Sequence, residues 1–123
     1  MPIGKKSSVF RAQKLLFDIM AAGKAVQHFA RTRQPEDLNQ DLQFRSAVER
    51  QLEILCEALR QLHSVDSSLA NRFSEYRQIM AMRNRLVHAY DTIDHTIIWQ
   101  AITEKVPVAL ANALLLLSEI SAP

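Results

Sequence analysis

At 123 residues the chain has the length of one domain, since a single hydrophobic core serves roughly 100–200 residues. Hydrophobic residues make up 48% and charged residues 23%, globular proportions that leave little room for a long disordered tail, and two glycines and four prolines are too few for an all-β chain or a Gly-rich phosphate loop. A formal charge of +2 admits a nucleic-acid partner without requiring one, and the single cysteine, Cys56, excludes an internal disulfide framework and fits a reducing cytosol.

The N-terminal stretch MPIGKKSSVFRAQKLLFDIM is basic and poor in acids, superficially like an organelle transit peptide. Its apolar positions nevertheless run on through Leu15, Ile19, Ala22, Val26 and Phe29 at three- and four-residue steps, which predicts a structural helix over residues 8–31. The polar stretch 31–40 carries Pro35 and reads as a connection, with Asp37 or Asn39 available to cap the next helix. That helix, residues 41–63, carries the stripe Phe44, Val48, Leu52, Leu55, Leu59 and Leu62, with Arg45, Glu49, Arg50, Glu53, Glu57 and Arg60 as charge elsewhere.

After the turn SVDSS, where Asp66 or Ser67 can accept from unpaired amides, a third helix is predicted from about Leu69 to His88. YDTID interrupts it. Asp94 or Thr92 then caps a fourth helix carrying Ile97, Ile98, Ala101 and Ile102, and Pro107 suits the first turn of a last one ending near Ile120. This last helix is apolar nearly all round and is expected to be mostly buried, in part against another subunit. The most apolar run, 106–117, is shorter than the roughly 20 residues a membrane span needs and contains Pro107 and Asn112, so no membrane span is expected. The expected architecture is all-α: an up-and-down antiparallel bundle of four to five helices, one domain over residues 1–123.

On the third helix, a turn of about 100° per residue puts Leu69, Phe73, Tyr76, Ile79, Met80, Met82, Leu86 and Val87 in one arc of roughly 180°. Arg83 falls near its middle. A guanidinium is rarely buried unmatched, because removing its charge from water costs several kcal/mol. It is met there either by an acid of the second helix, such as Glu53 or Glu57, or by an anionic ligand. Asn84 lies at one edge of the arc and His88 one turn further on, beside it; His88 alternatively complements the helix dipole. Tyr90 follows just past the helix end, and Arg85 falls on the polar side. His28, His63 and His95 lack metal-ligand spacing, so no metal and no cofactor is expected.

MRNRLVHAYDTIDHTIIW resembles the signature of HepT-like proteins of the HEPN superfamily: Arg83, Asn84, His88, Tyr90, Ile93, Asp94 and Trp99 stand at its motif positions. RQLEILCEALRQL, with Arg50, Glu53, Glu57 and Ala58, is similar to that family's second helix, although Cys56 stands where glycine is usual. The similarity covers residues 44–117; the first forty residues match only in being helical. The resemblance implies a cytoplasmic, metal-independent endoribonuclease, the toxin of a toxin–antitoxin pair. It implies a homodimer whose two motifs face one cleft, and an MntA-type minimal nucleotidyltransferase partner that silences the toxin by AMPylation of the motif tyrosine, here Tyr90.

The residues suit that chemistry. Cleaving tRNA or mRNA needs a proton-transfer group, for which His88 is suited, and a cation for phosphorane charge, for which Arg83 is suited; Asn84 orients the phosphate and Tyr90 positions the substrate. One motif histidine per chain serves acid and base roles only if a second chain supplies its own. The alternative from the same residues is a non-catalytic accessory subunit of a minimal nucleotidyltransferase, in which Arg83 and Asn84 bind the phosphate of a nucleotide or RNA and His88 only donates a hydrogen bond.

Overall fold

The computed structural model describes residues 2–88 and 94–121, with the side chains of residues 8–86 and 94–121. Tyr90 and Ile93 lie outside the described residues, and His88 is described by its backbone alone.

Every described element is helical: α1 (Pro2–Ala30), α2 (Asp37–Gln40), α3 (Leu42–Val65), α4 (Ser67–Ala70), α5 (Tyr76–His88), α6 (His95–Gln100), a π-helical segment (Ala101–Lys105) and α7 (Val106–Ile120). In α1 the predicted positions Leu15, Ile19, Ala22 and Val26 are buried, joined by Ala12 and Leu16, while Phe29 is half-buried. The helix starts earlier than residue 8, from Pro2, a residue that fits a first turn because its missing N–H has no acceptor there.

The 31–40 connection contains an extra turn of helix, α2, whose Leu38 is 1% exposed and plugs the end of the core. This moves the cap. Asp41, rather than Asp37 or Asn39, heads α3, its carboxylate accepting from the Phe44 amide at 3.1 Å, while Asp37 accepts from the Gln34 amide at 2.9 Å. The α3 stripe Phe44, Val48, Leu52, Leu55, Leu59 and Leu62 is buried throughout. Asp66 closes α3 and opens α4, its backbone N–H donating to the Leu62 carbonyl at 2.8 Å and its side chain accepting from the Leu69 amide at 3.2 Å.

The third predicted helix is divided. Periodicity runs unbroken from Leu69, but the chain turns over residues 71–75 and α5 begins only at Tyr76. Two tertiary contacts outweigh the local helical preference. Phe73 is 1% exposed and needs the turn to reach the core, and Asn112 of α7 accepts from the Ser74 amide at 3.2 Å.

The fourth and last predicted helices, in contrast, join into one run. Asp94 caps α6 by accepting from the Thr96 amide at 2.8 Å, and the helix continues through Ala101–Lys105 into α7 with Pro107 in its first turn. A proline ring inside a regular α-helix clashes with the carbonyl four residues back; the wider π turn just before Pro107 removes that conflict. Lys105 at the junction reaches Glu75 at 2.8 Å. The continuous run His95–Ile120 has 26 residues and by length and composition is long enough to cross a membrane, unlike the shorter run judged from sequence. Core helices pass the same test, and here Val106, Ala109, Ala113 and Leu116 face inward. The rest of α7 is less buried than expected: Leu114 and Leu115 are 59% and 53% exposed.

Side-chain contacts fix the helix directions. Gln13 bonds Ser121 at 3.1 Å and Gly23 faces Leu110, so α1 and α7 are antiparallel; His63 stacks on Tyr76 with ring centres 5.1 Å apart and Cys56 faces Ile79, so α3 and α5 are too. Without a Cβ, Gly23 lets α7 close on α1; a Cβ there meets Leu110 Cδ2 at 2.8 Å.

Cys56 lies fully enclosed in the α3–α5 seam, its Sγ 3.7 Å from the Ile79 carbonyl oxygen. Burial pushes its thiol up to about 12, far from the reactive thiolate. A thiol reagent at mildly alkaline pH should therefore modify the native protein only at the rate of global unfolding, and modify it at once in concentrated urea. Fast labelling of the native protein, followed by mass spectrometry, would show that the seam opens locally.

Candidate active site on helices α3 and α5

Arg83 projects from α5 between the buried residues Ile79, Met82 and Leu86 toward α3. There it meets a carboxylate: Nε lies 3.4 Å from Glu57 Oε1. The distance makes an ion pair, but the geometry makes no hydrogen bond, and Nε is sealed from solvent without a partner. The side chain as a whole is 27% exposed. Arg83 is thus pinned at one edge and open at the other.

Glu57 is already matched. Arg60 Nη2 donates to its Oε2 at 2.6 Å and Arg60 Nε to Oε1 at 3.0 Å, while Gln61 Nε2 donates to Oε2 at 3.3 Å. The Arg60 hydrogen bonds, followed by Gln61 and the positive charges of Arg60 and Arg83, hold the Glu57 carboxyl at about 2. Two guanidiniums therefore share one carboxylate, and the local charge sums to one positive. The acid of the second predicted helix that was one candidate partner of Arg83 is present, yet its charge is spent elsewhere.

Arg83 opens into a cleft of about 430 Å³ lined by Asp18 of α1 and by Arg50, Glu53, Glu57 and Gln61 of α3. Of its carboxylates, Glu53 takes Arg50 at 3.3 Å and Asp18 takes Lys14 at 2.9 Å. Such a site can take up one more anion, for which Arg83 offers donors in a planar fork.

Asn84 is exposed beside Arg83, its Oδ1 3.4 Å from Arg83 Nη1. Asn84 and His88 are four residues apart on α5 and so share a face of that helix. The structure therefore brings Arg83 and Asn84 together; the side chain of His88 and the whole of Tyr90 lie outside the described residues. Arg85 is exposed, as its position on the polar side predicts. No group of three His, Cys, Asp or Glu residues suited to a metal ion occurs among the described residues.

One charged residue was misplaced by the pattern. Arg45 counts among the solvated charges of the second predicted helix, but it is 7% exposed and lies 3.4 Å from Glu49. A signal was present: Arg45, Leu52 and Leu59 stand seven residues apart and so lie nearly on one line along α3.

The chain matches the family described as ribonuclease HepT-like over residues 19–114. It is 32% identical over 92 residues to a Thermococcus cleftensis protein named as a probable ribonuclease HepT, covering 75% of this chain and 83% of that one. Two Methanocaldococcus jannaschii proteins whose names give RNase provisionally are 29% and 28% identical over 94 residues each. These matches cover 75% of this chain and 84% and 75% of theirs. No solved structure matches with statistical significance.

The Glu57 cluster makes a pH prediction. Its carboxyl is depressed from 4.5 to about 2 on folding, so its stabilising contribution is present above the unfolded value and is lost as pH falls from 4.5 toward 2. Because Glu57 is 39% exposed, solvent screening keeps the effect small. Melting temperature should fall less across that acid range in Glu57→Gln than in the wild type. Parallel pH profiles would show that Glu57 is not engaged in solution.

Proposed function

Because the chain belongs to the HepT-like ribonuclease family, we propose that it is a metal-independent endoribonuclease acting as the toxin of a toxin–antitoxin pair in the cytoplasm. The observation that carries this reading is the surplus positive charge of Arg83 at the mouth of a polar cleft, on a helix whose described residues run to His88.

Cleavage proceeds by attack of a ribose 2′-oxygen on the adjacent phosphorus, with loss of a proton from the nucleophile and gain of one by the departing 5′-oxygen. Arg83 binds the phosphate and stabilises the charge that grows on its oxygens. Asn84 orients the same group. His88 transfers the proton, since an imidazole titrates near neutral pH. Supporting both proton transfers at once takes two imidazoles, and a two-fold symmetric homodimer supplies the second from the partner chain. The substrate is tRNA or mRNA.

Silencing follows from the same electrostatics. An MntA-type nucleotidyltransferase that attaches AMP to Tyr90 places negative charge and bulk near the position reserved for the RNA phosphate. Arg83 then has an internal anion to satisfy it.

His88→Ala should abolish RNA cleavage and growth arrest while leaving the melting temperature unchanged. Full cleavage by that variant overturns the assignment, whereas a wild type that turns over no RNA, together with a His88→Gln variant that loses only modest RNA affinity, favours the accessory-subunit reading. Intact mass after co-expression with the nucleotidyltransferase should show added AMP in the wild type and none in Tyr90→Phe.

A further inference from the structure

A second cavity, about 340 Å³, lies at the other end of the α1–α3 seam and is lined by His28, Phe29, Arg31 and Arg33 on one side and by Gln43, Phe44 and Ala47 on the other. On α3, Gln43 and Ala47 line this cavity, while Arg50, Ile54, Glu57 and Gln61 line the Arg83 cleft. Successive steps along that set are four, three, four, three and four residues, which is one stripe down one face of a helix. On α1, Leu15 and Asp18 line the Arg83 cleft and Phe29 the second cavity, again at positions on a single stripe, with Ala22 and Ala25 between them; Thr32, which also lines the second cavity, follows the end of the helix. The two cavities thus lie at the two ends of one α1–α3 stripe, a groove defined by helix position.

Charge is matched along this groove except at its ends. Arg50 is paired with Glu53, and Arg33 with Asp41 at 3.0 Å, the latter guanidinium also lying 4.7 Å over the Phe44 ring. Asp18 and Glu57 draw their counter-charges, Lys14 and Arg60, from outside it. The surplus falls on Arg83 at one end and Arg31 at the other. Arg31 is exposed and has no carboxylate partner among the described residues; its Nη1 donates to the His28 carbonyl at 2.7 Å and lies 3.1 Å from both ring nitrogens of His28. That contact completes the C-terminus of α1 and leaves Nε and Nη2 for a ligand. From Gln43 to Glu57 the helix rises about 21 Å.

We infer that this groove is an RNA strand track, in which Arg31 and His28 bind a backbone phosphate several nucleotides away from the one held by Arg83, with Phe29 and the Arg33 guanidinium offering flat faces to the bases beside the Arg31 phosphate. The inference rests on the ribonuclease reading, and it adds that substrate recognition is length-dependent. A strand long enough to reach from Arg83 to Arg31 gains a second phosphate contact that a dinucleotide does not make.

The test uses the full-length protein and a labelled 2′-O-methyl RNA decamer, which lacks the attacking hydroxyl and cannot be cleaved. Arg31→Ala should weaken decamer binding about fivefold and lower the slope of log affinity against log salt by about 0.7, the value of one single-strand phosphate contact. Arg31→Lys should retain most of the affinity, and cleavage of a dinucleotide substrate should be unchanged in both variants. An unaltered decamer affinity and salt slope in Arg31→Ala overturn the track even if the wild type cleaves RNA. Decamer binding that depends on Arg31 in a protein that cleaves no RNA supports the track and overturns the nuclease reading instead. If Arg31→Glu changes the oligomeric state on a sizing column while decamer binding stays as in the wild type, the groove is a protein interface and the track is wrong.

Discussion

One carboxylate between two guanidiniums organises this molecule. Placing Arg83 on the apolar face of α5 costs several kcal/mol unless its charge is matched, and Glu57, 3.4 Å away, matches it only in part because Arg60 holds the same group more closely. A fully satisfied buried pair makes a structural seam and nothing more. A surplus charge whose outer edge faces a cleft makes a seam that an external anion can complete. The cluster also requires α3 and α5 to be antiparallel in one register, which the His63–Tyr76 stack and the Cys56–Ile79 contact hold from further along the seam.

The remainder of the bundle keeps that register rigid. The long helix α1 packs against α3 on one side and α7 on the other, and the close approach at Gly23 sets the second spacing. Both departures from regular helix, the turn at residues 71–75 and the π segment at Ala101–Lys105, lie away from the Arg83 cleft and are tied together by the Lys105–Glu75 pair. The chain thus absorbs its misfits, a phenylalanine that must reach the core and a proline in mid-helix, where they do not disturb the Arg83 geometry.

Much of this was legible in the sequence, for reasons that can be stated residue by residue. Helical periodicity depends only on which positions are apolar, so the stripes of α1 and α3 and the inward placement of Arg83 could be read directly. Caps were legible where one acid stood before a periodic run, as with Asp66 and Asp94. Asp41 was missed because Leu38 draws an additional helical turn into the core, and nothing local to residues 31–40 announces that long-range burial. The division of the third helix was hidden for the same reason, since Asn112 and Phe73 act across the fold. Of the candidate site, the chain pattern offered Glu53 and Glu57 equally as partners for Arg83. Only side-chain geometry selects Glu57, and only that geometry shows Arg60 already bound to it.

A bundle of net charge +2 is not an evident ligand for a polyanion, yet net charge is the wrong measure. At physiological salt the Debye length is about 8 Å, so a phosphate responds to the charges within a turn or two of helix and not to the total. Along the α1–α3 groove nearly every carboxylate has its own cation, which removes the repulsion an RNA strand would otherwise meet. Arg31, without a carboxylate, and Arg83, only partly matched by Glu57, stand at opposite ends of a seam along which α3 rises roughly 21 Å from Gln43 to Glu57. A small phosphate ligand can engage one of them; only an extended strand engages both. Recognition along the proposed track would distinguish a polymer from the mononucleotides of the cell by reach, without needing a strongly basic surface that would bind every polyanion it met.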